Sequence, residues 1–300
     1  MQGLILLNKP KDITSFGAVA KLKRLSHEKR VGHTGTLDPM ATGVLPVLLG
    51  KATALSGLLL DADKRYTAGI KLGITTDTDD ITGNILKQSK VSVTAEQLHE
   101  ALLHFTGKIE QRPPMYSALK KDGVRLYTLA REGKTVDIKS REIEIFSVEL
   151  ISELNADNIF KIDVHVSKGT YIRSLARDIG EYLGCGACLD SLERTYTGGF
   201  SLSECVPLDS LTEENIHDCC LSEERAVGYL REVSVTEKQA VRFCNGGQLD
   251  FDRLKPNKLS DGELIRVKLA DKFLGIGYAD LTKNQLAIKC IVGYPGEEDR

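Results

Sequence analysis

The stretch RVGHTGTLDPMATGVLPVLLGKAT, residues 30 to 53, sets one carboxylate, Asp38, among Gly, Thr and Pro and follows it with an apolar run. Most of these residues shape backbone and bring almost no other charge, so the loop is built around Asp38. A carboxylate held in this way can attack a substrate as a nucleophile or move protons as a general acid or base. It stays ionised at neutral pH unless burial opposes the charge, and a neighbouring guanidinium counters that opposition. Arg173 is a candidate counterion, although sequence spacing alone does not bring the two residues together.

Other chemistries fail on spacing. Gly50 and Lys51 resemble the end of a phosphate loop, but Leu45 stands where its first glycine belongs and Ala52 follows the lysine. Asp77, Asp79 and Asp80 resemble the start of a calcium loop, yet Ile81 takes the next ligand position and Gln88 the place of the closing glutamate. Cys185 and Cys188 have the spacing of half a zinc or redox site, with no second pair or histidine cluster to complete it. Neither a G-x-S-x-G elbow nor an H-E-x-x-H helix is present, which weakens serine-hydrolase and zinc-protease readings.

Three hundred residues with 41% hydrophobic content are enough for one large domain or two smaller ones. The opening MQGLILLNKPKD reads as a first strand and not as a signal peptide, and no apolar run is long enough to suggest a membrane span. An intracellular, cytoplasmic location with reduced cysteines is the expectation. The formal net charge of -2 hides an asymmetry: residues 1 to 141 hold 22 Lys and Arg against 14 Asp and Glu, and the remainder 18 against 28. A basic front half suits a polyanionic partner, with a solvated surface as the bland reading.

The elements that must position Asp38 and Arg173 are readable in outline. TAEQLHEALLHFTG carries a capping-box pattern at Thr94 and Gln97, and Leu98, Ala101, Leu102 and Phe105 recur at helical spacing before Gly107. Phe160, Ile162, Val164 and Val166 alternate as a half-buried strand, then Ile172, Leu175, Ala176, Ile179 and Leu183 take up helical spacing. Tyr171 and Arg173 therefore fall at a strand-to-helix junction. The segment from Arg112 to Arg141 is rich in Lys and Arg, with Tyr116 and Tyr127 among them. It reads either as an excursion that touches phosphates and bases or as an amphipathic segment with its tyrosines on the core. Acid-rich sequence from Glu204 to Glu232 reads as surface and connector. Beyond a boundary near Arg231, VSVTEKQAVRFCNGGQLDF, GELIRVKLADKFLGIGYAD and NQLAIKCIVGYP read as β-rich runs of a small barrel.

GHTGTLDPMATGVL closely resembles the aspartate motif of the TruB-type tRNA pseudouridine synthases. LLNKPKDITS, KRYTAGIKLGITTDTDDITG, QRPPMYSALKKDGVRLYTLAREG and SKGTYIRSLARDIGEYLGCGA match further family segments in order, so the resemblance covers nearly the whole chain. NGGQL and FLGIGYAD resemble the PUA domain, a small RNA-binding β-barrel. The resemblance implies an α+β, mixed pseudouridine-synthase fold with a central mixed sheet, an RNA-gripping insertion at about residues 111–141, a catalytic domain over 1–231 and a PUA-like domain over 232–300.

The implied activity is isomerisation of uridine to pseudouridine at position 55 in the T-loop of tRNA, through a flipped base. No cofactor and no metal are implied, because product and substrate are isomers. Asp38 matches the catalytic aspartate, whose nucleophilic and acid-base routes remain alternatives, and Arg173 the arginine paired with it. Tyr66 matches the tyrosine that packs on the target base and helps remove its C5 proton. His33 matches the histidine that inserts among T-loop bases, where an aromatic ring substitutes for lost stacking. Tyr171 and Leu192 fall at pocket positions, Asp80 at a substrate contact, and Lys9 with Pro10 at a supporting position. Gly32 and Gly35 admit close backbone approach to RNA, Pro39 restricts the turn, and Val44 to Leu49 anchor the loop.

One departure stands out: after CLDSL the family pattern often has two arginines, and here Glu193 precedes Arg194, which puts one RNA-backbone contact in doubt. tRNA is the expected partner, with no membrane, no obligate protein partner and a monomeric state. A non-catalytic RNA-binding or tRNA-folding protein, and an aspartate-dependent N-glycosidase, are the competing readings.

Overall fold

A computed structural model describes residues 1–294 except 118, 122, 135 and 255–257. The last six positions of the expected 232–300 domain lie outside the described residues.

Gly3–Lys9 forms a strand that is apolar on both alternating faces. Ile5 and Leu7 enter one core with Ala18 and Leu22 of helix Ser15–Ser26, whereas Leu4 and Leu6 enter a second core on the opposite side. Thr42–Leu49 divides in the same way, with Leu45, Val47 and Leu49 on the first side and Val44 and Leu48 on the second. Strands covered on both faces read as continuous apolar runs instead of alternating ones, which is why the sequence after Asp38 turns abruptly hydrophobic.

These strands belong to a ten-stranded mixed sheet. Its order runs Val206–Pro207, Gly3–Lys9, Thr42–Leu49, Ala187–Thr197, Lys64–Leu72, Ile159–Val166, Arg141–Ser152 and Gly107–Gln111, with Val31–His33 and Phe200–Ser201 branching from it. Gly3–Lys9 pairs parallel with Val206–Pro207, Thr42–Leu49 pairs parallel with Ala187–Thr197, and the remaining pairings are antiparallel. Helices Ser15–Ser26, Ala95–His104 and Ile172–Tyr182 pack on the side of the first core. The expected capping box closes Ala95–His104 through both the Thr94 and the Gln97 side chain.

A separate five-stranded sheet follows in the order Arg231–Ser234, Leu264–Leu269, Lys272–Asp280, Gln285–Ile291 and Leu249–Asp250. Phe273, Ile276 and Val292 from this part pack with Leu4, Leu6, Val44 and Leu48 in the second core. The mixed α+β class with a central mixed sheet is therefore what the chain forms. Two local expectations change. VSVTEKQAVRFC is not wholly β: Glu237–Cys244 is a helix with a Thr236/Gln239 capping box, and Ala240 and Phe243 supply its buried side. The acid-rich connector is also partly internal, since Leu208, Leu211, Ile216 and Val227 are buried and Leu221 bridges to Leu4.

Candidate active site

The Asp38 turn leaves strand Val31–His33 and returns as Thr42–Leu49, so both ends are fixed in the central sheet. Three buried side chains tie it further. Ser15 Oγ accepts from the Leu37 N–H at 2.8 Å and donates to the Leu37 carbonyl at 3.0 Å. Lys9 Nζ donates to the carbonyls of Pro10 and Ile13, each at 2.8 Å, and of Pro39 at 3.4 Å. Burial pulls the Lys9 ammonium down to about 8, against the pull of Asp38 in the opposite direction. Arg194 Nε donates to the Val44 carbonyl at 2.7 Å and Nη2 to the Gly35 carbonyl at 3.2 Å, so one guanidinium holds the two ends of the turn.

The Arg194 side chain is fully buried and works inside the fold. Glu193 accepts instead from Thr42 Oγ1 at 3.5 Å. The backbones are in close register here, Arg194 opposite Gly43, and Gly43 has φ +102°. A Cβ at Gly43 would meet the Arg194 carbonyl oxygen at 2.2 Å, so the position admits only glycine without rearrangement.

Arg173 lies in the first turn of helix Ile172–Tyr182 and reaches Asp38 side-on. Its Nε is 2.8 Å from Asp38 Oδ2 and its Nη2 3.2 Å from Asp38 Oδ1. The guanidinium also donates to the carbonyls of Thr78 at 3.1 Å and Tyr116 at 3.0 Å, and Asp80 Oδ2 lies 3.9 Å from Nη1. The Arg173 side chain is 6% exposed and that of Asp38 33%. The arginine is thus locked from behind while the carboxylate keeps a third of its side chain exposed. Each carboxylate oxygen has further lone-pair capacity beyond its guanidinium bond.

Asp80 is turned into its own loop, where Oδ1 accepts from Thr78 Oγ1 at 3.0 Å, Thr82 N–H at 3.0 Å and Thr82 Oγ1 at 2.6 Å. Beside it, Arg177 binds Asp79 at 3.0 Å and Asp178 at 2.8 Å, and burial raises both carboxylates above the usual range. These bonds fasten the 76–84 turn to the helix that carries Arg173.

Tyr66 lies buried in Lys64–Leu72, with Val164 and Arg194 as its register partners, in the same core as Leu37, Met40 and Leu192. His33 is half-buried, and its Nδ1 accepts from the Gly35 N–H at 3.3 Å. Burial, reinforced by the Arg194 charge, holds its imidazole below the ordinary value. Tyr171 sits under Arg141, whose guanidinium carbon is 5.0 Å from the ring centre.

Sequence reading missed Ser15, Gln111, Thr78 and the Arg177 cluster. For Gln111 the signal was present: in Gly107–Gln111 the inward parity of Ile109 falls on Gln111 two residues later, and Gln111 is fully buried.

The 111–141 excursion leaves and re-enters at one sheet edge, since Gln111 and Arg141 are register partners. Within it, Tyr127 is flanked by Arg125 and Arg131, 5.8 and 5.5 Å from its ring centre.

Comparison with known proteins identifies the family. Residues 23–172 match the TruB family pseudouridylate synthase N-terminal domain, and residues 173–234 the tRNA pseudouridylate synthase B C-terminal domain. The chain is 43% identical over 279 residues to tRNA pseudouridine synthase B of Clostridium acetobutylicum, covering 92% of this chain and 95% of the relative. It is 53% identical over 215 residues to tRNA pseudouridine synthase B of Francisella tularensis subsp. tularensis, covering 71% of this chain and 70% of the relative. Among solved structures, a chain in a Cbf5–Nop10–Gar1 complex superposes with a TM-score of 0.74 at 27% identity, covering 97% of this chain and 85% of that one. With two domains matched in order and relatives aligned over most of its length, this chain belongs to the TruB family of tRNA pseudouridine synthases, isomerases that convert uridine to pseudouridine in tRNA.

Proposed function

We propose that the chain acts on uridine 55 in the tRNA T-loop and that Asp38 is its catalytic carboxylate. The observation that carries this reading is the side-on pair of Asp38 with the buried, otherwise engaged Arg173. A guanidinium fixed by two carbonyls orients the partly exposed carboxylate. Asp38 then initiates detachment of uracil from the ribose. The N1–C1′ bond breaks, a C5–C1′ bond forms on the turned base, the C5 proton leaves to solvent and N1 regains a proton. Atoms and electrons balance without a redox partner, in keeping with a need for no cofactor or metal.

Tyr66 packs on the everted base and assists removal of the C5 proton, with Tyr171 and Leu192 closing the pocket around it. His33, held neutral by burial, fills the gap that the base leaves in the T-loop stack. Lys9 and Asp80 serve from within, through the Pro39 carbonyl and the Arg173 charge. The 111–141 excursion, with Arg125, Tyr127 and Arg131 together, grips the RNA through phosphates and stacking. Residues 1–231 form the catalytic domain and 232–300 a PUA-like RNA-binding domain. The enzyme works as a monomer in the cytoplasm, without an obligate protein partner.

The test uses tRNA carrying tritium at uracil C5. Wild-type protein releases the label to water and yields pseudouridine at position 55, and Asp38→Asn abolishes release while binding persists. Binding without release by the wild type would leave an RNA-binding or folding role, and free uracil with an abasic ribose would identify an N-glycosidase.

A further inference from the structure

Helix Ile172–Tyr182 begins without a side-chain cap from Tyr171, its N-cap residue, yet this start carries two of the site residues. The backbone of Tyr171 is held from across the sheet edge. Gln111 Nε2 donates to the Tyr171 carbonyl at 3.1 Å, and the Tyr171 N–H donates to Gln111 Oε1 at 2.9 Å. Gln111 is fully buried, and its amide uses one donor and one acceptor on the same residue. Such a pair fixes orientation as well as distance, because an amide plane matched to both groups cannot rotate without breaking one bond.

The surroundings converge on the same short segment. Immediately after Gln111, the Arg112 carbonyl accepts from Arg177 Nη2 at 3.0 Å and the Tyr116 carbonyl from Arg173 Nη2 at 3.0 Å. At the other foot of the excursion, Arg141 covers the Tyr171 ring and its Nη2 donates to the Gly169 carbonyl. Both feet of the excursion thus land on residues 169–177, and Gln111 binds the helix start through both main-chain groups of a single residue.

We infer that Gln111 is a positioning residue for the isomerisation, clamping the Tyr171 backbone so that Arg173 and the Tyr171 ring keep their alignment with Asp38. This rests on the catalytic roles proposed above for Asp38 and Arg173. Gln111 does not touch substrate; it acts through the helix start. Loss of the amide leaves the part-buried Tyr171 N–H without this acceptor and the Tyr171 carbonyl with the Leu175 N–H as its helical donor, which lets the first helical turn shift, and the side-on pairing of Arg173 with Asp38 is the geometry that such a shift disturbs.

The experiment is single-turnover tritium release with excess full-length enzyme, read with the dissociation constant for the same tRNA and the melting temperature. Gln111→Met keeps length and removes both bonds; Gln111→Asn keeps an amide that is one methylene too short to reach both groups, and guards against a variant that does not fold. Both variants are expected to lower the single-turnover rate constant by ~100-fold, the scale of an ångström-level misplacement, with tRNA affinity within about twofold of wild type. A residue that only stabilises the fold would lower the melting temperature while leaving the saturating single-turnover rate constant unchanged, and that result in either variant overturns the inference. A wild-type enzyme that releases no label, or an Asp38→Asn control as fast as wild type, refutes the underlying reading of the site instead.

Discussion

Asp38 and Arg173, 135 residues apart in the chain, meet side-on, with Nε on one carboxylate oxygen and Nη2 on the other. The remaining Arg173 donors serve the Thr78 and Tyr116 carbonyls, so the arginine cannot swing away from the acid without breaking bonds to two other loops. Replacing it with lysine keeps the charge and loses the fork. Arg173→Lys should lower the single-turnover rate by ~100-fold while leaving tRNA affinity within about twofold. A rate near wild type would mean that charge alone, without geometry, suffices.

Arg194 should behave as a structural clamp. Arg194→Met strips hydrogen bonds from the buried carbonyl of Val44 and the part-buried carbonyl of Gly35 and should cost about 2–4 kcal/mol in urea unfolding. A variant with wild-type stability but weakened tRNA binding would contradict the clamp role and mark the residue as an RNA contact.

Gly43→Ala tests the same contact from the other strand. The left-handed φ of +102° and the 2.2 Å approach to the Arg194 carbonyl predict a loss of about 3 kcal/mol or more. Equilibrium unfolding measures it, and a loss under about 1 kcal/mol would show that the turn relaxes freely.

Lys9 gives a stability signature in alkali. Burial brings its ammonium to about 8, whereas an unfolded lysine titrates near ~10.4. Between these values the unfolded chain binds more protons, so this residue makes stability rise with pH across that window and contributes no slope below it. Lys9→Met should be less stable throughout, because three carbonyls lose their donor, and should lack the rise. Urea midpoints from about pH 7.5 to about 10, compared between the two proteins, decide the matter.

His33 should titrate below the ordinary imidazole value of about 6.5. It is therefore neutral at physiological pH, and its contribution to stability fades as pH falls through the unfolded value. An NMR titration of its ring gives the midpoint directly; a midpoint above about 7 contradicts the burial argument.

Legibility divided along physical lines. Asp38 could be read because its loop is chemically odd, and the Thr94/Gln97 helix because its cap is a local pattern of four residues. The Asp38–Arg173 contact could only be inherited from the family resemblance, since nothing local encodes a meeting over 135 residues. The clamp role of Arg194 was not legible because a buried guanidinium bonded to carbonyls carries the same letter as one at a surface. Gln111 escaped because a glutamine next to Arg112, Pro113 and Pro114 looks like the start of a loop, although strand parity puts it inside. The helix Glu237–Cys244 was hidden by its setting among β-rich runs, even though its capping box was as clear as the one at Thr94.

The second core has a practical consequence for anyone trimming the chain. Phe273, Ile276 and Val292 roof the back of the very strands, Gly3–Lys9 and Thr42–Leu49, whose front edge delivers the Asp38 turn. A truncation before residue 273 would uncover Leu4, Leu6, Val44 and Leu48 together. The tail end of this enzyme is therefore an outer wall of the half that carries the Asp38 turn, and deleting it to ask about RNA affinity alone would also soften the floor on which that turn stands.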